Sequence, residues 1–300
     1  MIDEKSFDKI VQGKQVGIYT IISNSGLKAQ ITNYGAKIVS LFVPSDNGSL
    51  TDVVLGFNTL DEWLTQEVYF NGINGRVAGR ISNAQAEIDG QIYNFTKNNG
   101  IHTLHGGNQG FNDQVWEVVE TAENAITLHY LSPDGEEGFP GNLHVLVRYV
   151  LEGNDLNIYY DANTDQPTII NLTNHAYFNL KGEGQGSIHD HTLQVLAEEY
   201  IPYDENMLPI GCVKSVEGTP MDMRQSTLIA DRINDPFFAA GLGIDNGWAL
   251  PGWNDPCSTS PLRLAAVLKG GNYTMETWTT FPCMQVYSGN YVENHVGKSG

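Results

Sequence analysis

Residues 143–160 read LHVLVRYVLEGNDLNIYY, and this stretch decides the fold class of the 300-residue chain. Apolar and polar side chains alternate on either side of Glu152–Asp155, where Gly and Asn are typical of a tight turn. Successive side chains of a strand point to opposite faces, so each half of the stretch has one apolar face. Those faces hold Leu143, Val145, Val147, Tyr149 and Leu151 in the first half, and Leu156, Ile158 and Tyr160 in the second. The stretch predicts an antiparallel hairpin that packs on a core.

Similar short alternating runs recur along the chain, and helical periodicity is scarce. Further strands are predicted at residues 16–22, 27–32, 38–43, 115–119, 125–131, 169–172, 192–196 and 284–287. Two short helices are predicted at Thr59–Gln66 and Ser226–Ile233, each with its first residue as the N-cap. Many strands with few helices predict an all-β protein, a large antiparallel β-sandwich, and we expect residues 1–300 to form one domain.

Composition and charge exclude several classes of protein. Hydrophobic residues make up 41% of the chain, which suffices for a core and argues against global disorder. The 35 Asp and Glu against 16 Lys and Arg give a formal net charge of −19, which disfavours nucleic acid and anionic membranes as partners. No apolar run is long enough for a membrane helix, and the first residues do not read as a secretory signal. Cys212, Cys257 and Cys283 then predict reduced thiols in a cytoplasmic protein.

Two polar segments rich in glycine are candidates for ligand binding. Residues 71–81 read NGINGRVAGRI, and residues 98–107 read NNGIHTLHGG. Arg, His and Asn flanked by glycines supply hydrogen-bond donors with close access to the backbone, as a polyhydroxylated ligand needs. Ordinary turn chemistry explains the same composition, and the residues alone leave both interpretations open.

Residues 171–180, NLTNHAYFNL, place several polar side chains inside an otherwise apolar run. Buried polar groups must be hydrogen-bonded or they are costly, so such a cluster suggests a site. His175 within it could act as a general acid near neutral pH, because the ordinary pKa of histidine is about 6.5. A core histidine satisfied by its neighbours is the alternative.

The segment 241–261 is rich in Gly, Asn and Pro and reads as a long loop, which often carries function. Within it Asp245 lies close to Trp248. A carboxylate can accept hydrogen bonds from sugar hydroxyls, and an indole can pack on the apolar face of a sugar ring. An Asn-Gly turn that follows a strand is the alternative.

Other local signals do not support metal or nucleotide binding. The histidines of segments 189–191 and 102–105 have ligand-like spacing, but no Cys or carboxylate motif completes a metal site. The glycines of 182–186 lack the spacing of a dinucleotide fingerprint. The acidic segment 132–138 reads as a surface turn and not as a pair of glycosidase carboxylates.

Several motifs together resemble the galactose mutarotase (aldose 1-epimerase) family. The matching segments are, in order, residues 74–81, 104–107, 132–140, 171–180, 222–224, 243–245, 279–280 and 285–290. No single motif is decisive, but their order and register make the resemblance specific over most of the chain. It implies a supersandwich of β-strands with an open sugar cleft. It also implies an enzyme that interconverts the α and β anomers of a free aldohexose, such as galactose or glucose, without metal or cofactor.

The resemblance implies roles for individual residues. His175 and His105 are expected as catalytic residues, with His175 as the general acid on the ring oxygen and His105 as a neighbour that orients the sugar. The expected substrate-binding residues are Arg80, Asp245, Asn174 and Trp248. The mechanism is proton transfer alone, in which a base deprotonates the anomeric hydroxyl while an acid protonates the ring oxygen.

The chain departs from the family pattern at three places. Asp245 is followed by Asn-Gly-Trp in place of a His-Asn-Phe-like run, and Phe281 stands where the family has Gln. The family's general-base Glu follows a Gly-Lys-Ser-Gly-like stretch, which here is residues 297–300, and Glu293 does not lie in the matching motif. We therefore expect the C-terminal strands and the base to be missing, and these 300 residues alone to bind sugar poorly and to catalyse weakly.

Two other functions compete with the epimerase. A non-catalytic sugar-binding protein of the same fold would not need the base. A hexose-phosphate epimerase would need a basic cluster for the phosphate, which the excess of acidic residues disfavours. The expected partner is a monosaccharide, and we expect the chain to act as a monomer or a homodimer.

Overall fold

The structure, a computed structural model, describes residues 1–45, 47–66, 69–254, 261–292 and 295–299. The chain forms two compact units: an N-terminal unit of Met1–Phe178, Gly182–Gly184 and Val296–Gly300, and a C-terminal unit of Asn179–Lys181 and Gln185–His295. All paired strands of the described part run antiparallel, and the predicted all-β fold of the sandwich type is confirmed. The single domain with missing C-terminal strands stays a prediction. No helix among these residues has the length and apolar character needed to cross a membrane.

The N-terminal unit contains sixteen strands, one α-helix and four short 3-10 helices within the described ranges. The strands are β1 (Lys9–Val11), β2 (Lys14–Val16), β3 (Ile18–Ile22), β4 (Lys28–Thr32), β5 (Lys37–Pro44), β6 (Leu50–Asp52), β7 (Ile73–Asn74), β8 (Arg80–Ile81), β9 (Gln85–Ile88), β10 (Gln91–Asn94), β11 (Thr103–Leu104), β12 (Glu117–Ala122), β13 (Ala125–Ser132), β14 (Leu143–Glu152), β15 (Asp155–Thr164) and β16 (Thr173–Asn174). The helices are α1 (Leu60–Thr65) and the 3-10 helices Glu4–Ser6, Ser82–Ala84, Phe111–Asp113 and Glu136–Gly138.

Two four-stranded sheets form the core of this unit, in the orders β3-β4-β5-β6 and β12-β13-β14-β15. The predicted hairpin is β14–β15, which pairs Glu152 with Asp155 across a two-residue turn. The predicted apolar face of β14 is buried, because its five side chains are each at most 1% exposed. Its Tyr149 hydroxyl donates a hydrogen bond to the Ala36 carbonyl at 2.7 Å, which joins β14 to the chain that leads into β5.

Helix α1 begins where the sequence predicts it. The Thr59 side chain accepts a hydrogen bond from the Glu62 amide, and the Glu62 carboxylate accepts one from the Thr59 amide. This reciprocal capping box satisfies two amides that the first turn of a helix leaves unpaired.

The C-terminal unit contains eight strands within the described ranges. They are β17 (Thr192–Val195), β18 (Glu199–Ile201), β19 (Lys214–Ser215), β20 (Thr227–Leu228), β21 (Asp245–Ala249), β22 (Arg263–Gly270), β23 (Tyr273–Thr279) and β24 (Cys283–Tyr287), and the 3-10 helices are Ile229–Asp231 and Pro236–Gly241. The sheets have the orders β20-β17-β22-β23 and β19-β18-β21-β24. One apolar cluster, which includes Val195, Tyr200, Trp248 and Ala265, takes side chains from both sheets.

Three local predictions are wrong. Ser226–Ile233 is not an α-helix, because its first part pairs with β17 as strand β20 and only Ile229–Asp231 turns as a 3-10 helix. Residues 169–172 do not form a strand, and Asn171 makes only an isolated bridge. The predicted loop 241–261 contains the regular strand β21, while its residues 255–260, Cys257 among them, lie outside the described part.

Candidate active site

The segment that contains His175 is held by a short antiparallel pairing. Strand β16, which ends one residue before His175, pairs with β7. Beyond the strands, the Asn71 amide donates to the His175 carbonyl at 3.0 Å, and the His175 amide donates to the Gly72 carbonyl at 2.9 Å. Both polar groups of the His175 backbone are therefore fixed.

A second short pairing brings Arg80 beside His105. Strands β8 and β11 pair so that Arg80 lies opposite Leu104, the residue before His105. The Arg80 side chain is steadied by a hydrogen bond from its Nε to the Asn99 side-chain oxygen at 3.2 Å. A guanidinium is thus placed near an imidazole, as the sequence predicts.

Glycine is required immediately after His105. Gly106 has a φ of +89°, and a β-carbon there would lie 1.9 Å from the Gly75 carbonyl oxygen. A side chain would both strain the backbone and collide with the neighbouring chain. The close approach fixes the position of His105, which itself has a φ of +50°.

Four aromatic rings converge in this part of the N-terminal unit. The rings of His105 and His175 meet edge to face with centroids 5.3 Å apart. Tyr69 lies 4.5 Å from His105 and 6.4 Å from His175, and Tyr177 stacks on His175 at 5.2 Å. All four side chains are partly exposed, so a small ligand can reach them.

The hydrogen bonds of His105 determine its tautomer. The Gly79 amide donates to Nδ1 of His105 at 3.1 Å, so the ring proton lies on Nε2. Burial, the neighbouring His175 and the Arg80 charge together hold the pKa of His105 well below its usual range. His105 is therefore a neutral hydrogen-bond donor at neutral pH.

Burial also lowers the pKa of His175, to about 4. A hydrogen bond to its own backbone acts in the opposite direction but is the smaller effect. Both imidazoles are therefore neutral at pH 7, with the Arg80 guanidinium as the nearby cation.

Asn174 has a supporting role in the structure. Its two amide hydrogens go to the Asn71 carbonyl and the Tyr149 hydroxyl, both at 3.2 Å, and its oxygen accepts from the Ala176 amide at 3.1 Å. Both donors are used inside the protein. We therefore revise the expected substrate-binding role of Asn174 to one of shaping the His175 segment.

Asp245 lies in the C-terminal unit, at the start of strand β21. Its carboxylate accepts a hydrogen bond from the Gln285 side chain on β24 at 2.7 Å, and the Tyr203 hydroxyl donates to the oxygen of the same Gln285 at 2.9 Å. Asp245 is partly exposed. This polar row presents a partly exposed carboxylate, a group that can accept hydrogen bonds from ligand hydroxyls.

The prediction that Trp248 packs on a sugar ring is wrong. Trp248 is fully buried in the core of the C-terminal unit, and its indole N–H donates to the Met221 carbonyl at 3.0 Å. No face of the indole remains for a ligand. The period-two alternation of β21 explains this, because it turns Asp245 and Trp248 to opposite faces.

The carboxylates of the Asp134–Glu137 turn hold loops together. Glu136 accepts hydrogen bonds from the Tyr130 and Ser132 hydroxyls. Glu137 accepts from two backbone amides of the loop that follows His105, and Asp134 from the Gly141 amide. These contacts support the expectation of a structural turn. Glu293, which does not lie in the family's general-base motif, is outside the described residues.

Two histidines outside the cluster accept hydrogen bonds from backbone amides. His191 is fully buried, and its Nε2 accepts from the Leu180 amide at 3.0 Å. His102 accepts from the Asn83 amide through Nδ1 at 3.0 Å. Over the described ranges, no three His, Cys, Asp or Glu side chains are arranged to hold a metal ion.

The sequence did not identify Tyr69 and Tyr177 of the ring cluster, nor the contacts of Asn71 with the His175 segment. Tyr177 lies two positions after His175, and its place in the same polar motif was a usable signal. Tyr69 and Asn71 lie at or just before the start of segment 71–81. Nothing in the local sequence pattern marks them as neighbours of His175, which follows about a hundred residues later. Their role depends on the pairing of β7 with β16.

Comparison with known proteins identifies the family of the chain. The family profile described as aldose 1-epimerase matches residues 17–300. The chain belongs to the aldose 1-epimerase family. It is 36% identical to galactose mutarotase from Bos taurus over 280 residues, which are 93% of this chain and 80% of the relative. It is 33% identical to aldose 1-epimerase from Escherichia coli over 282 residues, with the same coverage.

Solved structures of aldose 1-epimerases share the fold. An aldose epimerase homologue from C. elegans superposes with a TM-score of 0.84 at 29% identity, covering 95% of this chain and 85% of that chain. Galactose 1-epimerase from Lactobacillus acidophilus gives a TM-score of 0.81 at 29% identity, covering 94% and 81%. The epimerase fold is therefore shared over almost the whole chain.

Proposed function

We propose that this aldose 1-epimerase interconverts the α and β anomers of free aldohexoses such as galactose or glucose, with the histidine cluster of the N-terminal unit as its catalytic centre. The observation that carries the assignment of the centre is the pair of partly exposed imidazoles 5.3 Å apart, beside Arg80, in a chain of this family. Such a pair can donate to two neighbouring oxygens of a sugar at once.

The proposed reaction transfers two protons, and it breaks and re-forms one covalent bond. A base takes the proton of the anomeric hydroxyl, His175 gives a proton to the ring oxygen, and the bond between the anomeric carbon and that oxygen breaks. Rotation of the free aldehyde exposes its other face, and the reverse transfers close the ring as the other anomer. No atom or electron is gained or lost, which fits a site of imidazoles and a guanidinium.

The low pKa of His175 sets a condition on this proposal. A general acid is most effective when its pKa lies near the working pH, and burial lowers the pKa of His175 to about 4. We propose that the pKa rises in the sugar complex, because the ring oxygen accepts from the imidazolium and the base adjacent to the anomeric hydroxyl is anionic. The carboxylates of the Asp134–Glu137 turn are not assigned as this base, because they accept hydrogen bonds that connect neighbouring loops.

The other residues recognise the sugar in this proposal. His105 donates from Nε2 to a sugar oxygen because its Nδ1 is occupied by the Gly79 amide. Arg80 stabilises negative charge that develops on the ring oxygen. Asp245 accepts hydrogen bonds from hydroxyls of the sugar, and Gln285 keeps its carboxylate oriented.

Polarimetry of freshly dissolved α-galactose tests the function directly. We expect the chain to accelerate the approach to anomeric equilibrium in proportion to its concentration, above the rate in buffer alone. A rate that does not change with protein concentration, for both galactose and glucose, would show that the protein is no epimerase under these conditions.

One observation favours a second candidate, a sugar-binding protein without turnover. Burial holds both imidazoles neutral at pH 7, and neutral imidazoles bind hydroxyls well but are poor acids. Calorimetric titration with galactose separates the two candidates. Heat of binding without any acceleration in the polarimeter would establish the second.

We further propose that the protein works in the reducing cytoplasm as a monomer or a homodimer. Cys212 and Cys283 are free thiols, which supports a reducing compartment. Fractionation of the native host's cells and light scattering of the purified chain test the two parts separately.

A further inference from the structure

We infer that Asn71 is the positioning residue that holds the His175 segment in its reactive arrangement. This inference rests on the proposed function for its kinetic consequence but not for its structural one. Asn71 is fully buried, so it acts through the residues that it holds, His175 among them.

Three groups of Asn71 bind the segment on both sides of His175. Its amide N–H donates to the His175 carbonyl at 3.0 Å. Its side-chain oxygen accepts from the Tyr177 amide at 3.0 Å, and its own carbonyl accepts from the Asn174 side chain at 3.2 Å. The residues before, at and after the imidazole are thus all tied to one asparagine.

Further hydrogen bonds join Asn71 to Leu55 and to strand β5, outside the His175 segment. The Asn71 side-chain N–H donates to the Leu55 carbonyl at 2.5 Å, and the Leu55 amide in turn donates to the Tyr177 carbonyl at 3.0 Å. The Ile38 amide, on β5, donates to the Asn71 carbonyl at 3.1 Å. The His175 segment has only two residues in a regular strand, so these bonds replace the ladder that it lacks.

The backbone of Asn71 explains why an asparagine serves here. Its φ is +59°, a left-handed conformation that costs most residues energy and that Gly, Asn and Asp adopt most readily. Glycine would fit this backbone but would lose the bonds to Leu55 and Tyr177. Asparagine meets both needs, since it tolerates the conformation and supplies a donor and an acceptor.

Loss of these bonds should release Tyr177 first and then the imidazole that stacks on it at 5.2 Å. The groups that face His175 are the rings of Tyr69, His105 and Tyr177, with the Arg80 charge beyond His105. A displacement of about 1 Å of a catalytic group can lower the rate about 100-fold. Sugar contacts made by His105 and Arg80 would remain, so the loss should fall on kcat and not on KM.

The test compares Asn71→Gly with the matched variant Asn33→Ala in the full chain. Asn71→Gly keeps the left-handed backbone and removes both side-chain bonds. Asn33 is also buried, and its side chain bonds Gly17, Gln15 and Trp116, none of which lies in the His175 segment. We expect both variants to unfold at lower denaturant concentration, so stability alone cannot separate them.

Activity and titration separate the two variants. We expect kcat of Asn71→Gly to fall at least about tenfold with KM within about threefold, and kcat of Asn33→Ala to stay within about twofold. NMR titration should move the pKa of His175 from about 4 toward its ordinary value near 6.5 in Asn71→Gly alone, because the freed ring meets water.

Asn71→Asp is the second variant, for the case in which the glycine variant does not fold. It keeps the acceptor for the Tyr177 amide and loses the donor to Leu55, so kcat should lie between those of the wild type and Asn71→Gly. Wild-type kcat and His175 titration in Asn71→Gly, or equal losses of kcat in Asn33→Ala, would overturn the inference. If the wild-type chain shows no mutarotation, the proposed function fails while the His175 titration still decides the inference.

Discussion

The histidine cluster of the N-terminal unit and the Asp245 site of the C-terminal unit are built in opposite ways. His175 follows a strand of two residues, and its neighbours are held by side chains that bond the backbone, as Asn71 does. Asp245 begins a five-residue strand that pairs with β24 along its whole length and with β18 from Gly247 to Ala249. A catalytic group in an irregular segment needs a dedicated set of hydrogen bonds, whereas a group on a central strand inherits its position from the ladder.

The two sites also differ in electrostatics. The imidazoles are surrounded by other rings and a guanidinium, and burial holds their pKa values low. Asp245 instead accepts a hydrogen bond from the Gln285 side chain and lies at the end of a regular strand. The first environment suits proton transfer and the second suits hydroxyl recognition, so we expect their substitutions to change different quantities.

The largest effect is expected from His175→Ala. Loss of a general acid should lower the mutarotation rate by about 100-fold or more, because a positioned acid supplies about 10²–10⁴-fold. Polarimetry of α-galactose measures it, with His129→Ala as the control because His129 contacts His144 and Glu117, neither of which belongs to the ring cluster. If His175→Ala retains a rate near that of the wild type, the contrast between a chemical site and a recognition site disappears.

Asp245→Ala should weaken sugar binding and leave kcat less affected. The sugar hydroxyls that Asp245 accepts would be left without a partner, which costs about 1–3 kcal/mol of binding free energy. Calorimetry with galactose measures the change, and Glu217→Ala, which removes one exposed negative charge from the same unit, is the control. Equal affinity in the Asp245 variant would show that the polar row with Gln285 is structural.

The low pKa values of the cluster predict an acid-sensitive fold. His175 has a pKa of about 4 in the folded chain and near 6.5 when unfolded, so the unfolded chain binds more protons between these values. The contribution of His175 to the free energy of unfolding is therefore fully present above about pH 6.5 and is lost as the pH falls toward 4. Between pH 7 and pH 5 the loss should be about 1–2 kcal/mol. Urea unfolding at the two pH values measures it.

The variant that tests this linkage is His175→Gln, which removes the titrating group and keeps a polar side chain of similar size. It should lose less stability between pH 7 and pH 5 than the wild type does. An unchanged loss in the variant would assign the acid sensitivity to other groups.

The sequence predicted regular alternation well and the two sites less well. The hairpin of β14 and β15 and the cap of α1 were found because their signals are local. Residues 169–172, which lead into the His175 segment, were expected as a strand because of their apolar residues, yet they form only an isolated bridge. The Asp245 segment was expected as a loop because Asp, Asn and Gly are depleted in strands, yet it is strand β21.

The second error has a visible physical cause. A β-carbon at Gly247 would lie 2.9 Å from the Tyr203 hydroxyl and 3.1 Å from the side-chain oxygen of Gln285. The glycine in the strand is therefore a packing requirement of the polar row and not a turn signal. Such a requirement depends on residues about forty positions away in the sequence, which no local pattern contains.

The smallest effect on sugar binding is expected from Trp248→Phe. The indole is buried in the core and its N–H donates to the Met221 carbonyl, which also accepts from the Met223 amide, so the change removes one of these two bonds and leaves a small cavity. We expect the free energy of unfolding to fall by about 1–2 kcal/mol and the galactose affinity to stay within about twofold. Urea unfolding and calorimetry on the same preparation measure both quantities. A large loss of affinity with unchanged stability would mean that the indole contacts the ligand, and Trp248 would then share the substrate-binding role proposed for Asp245.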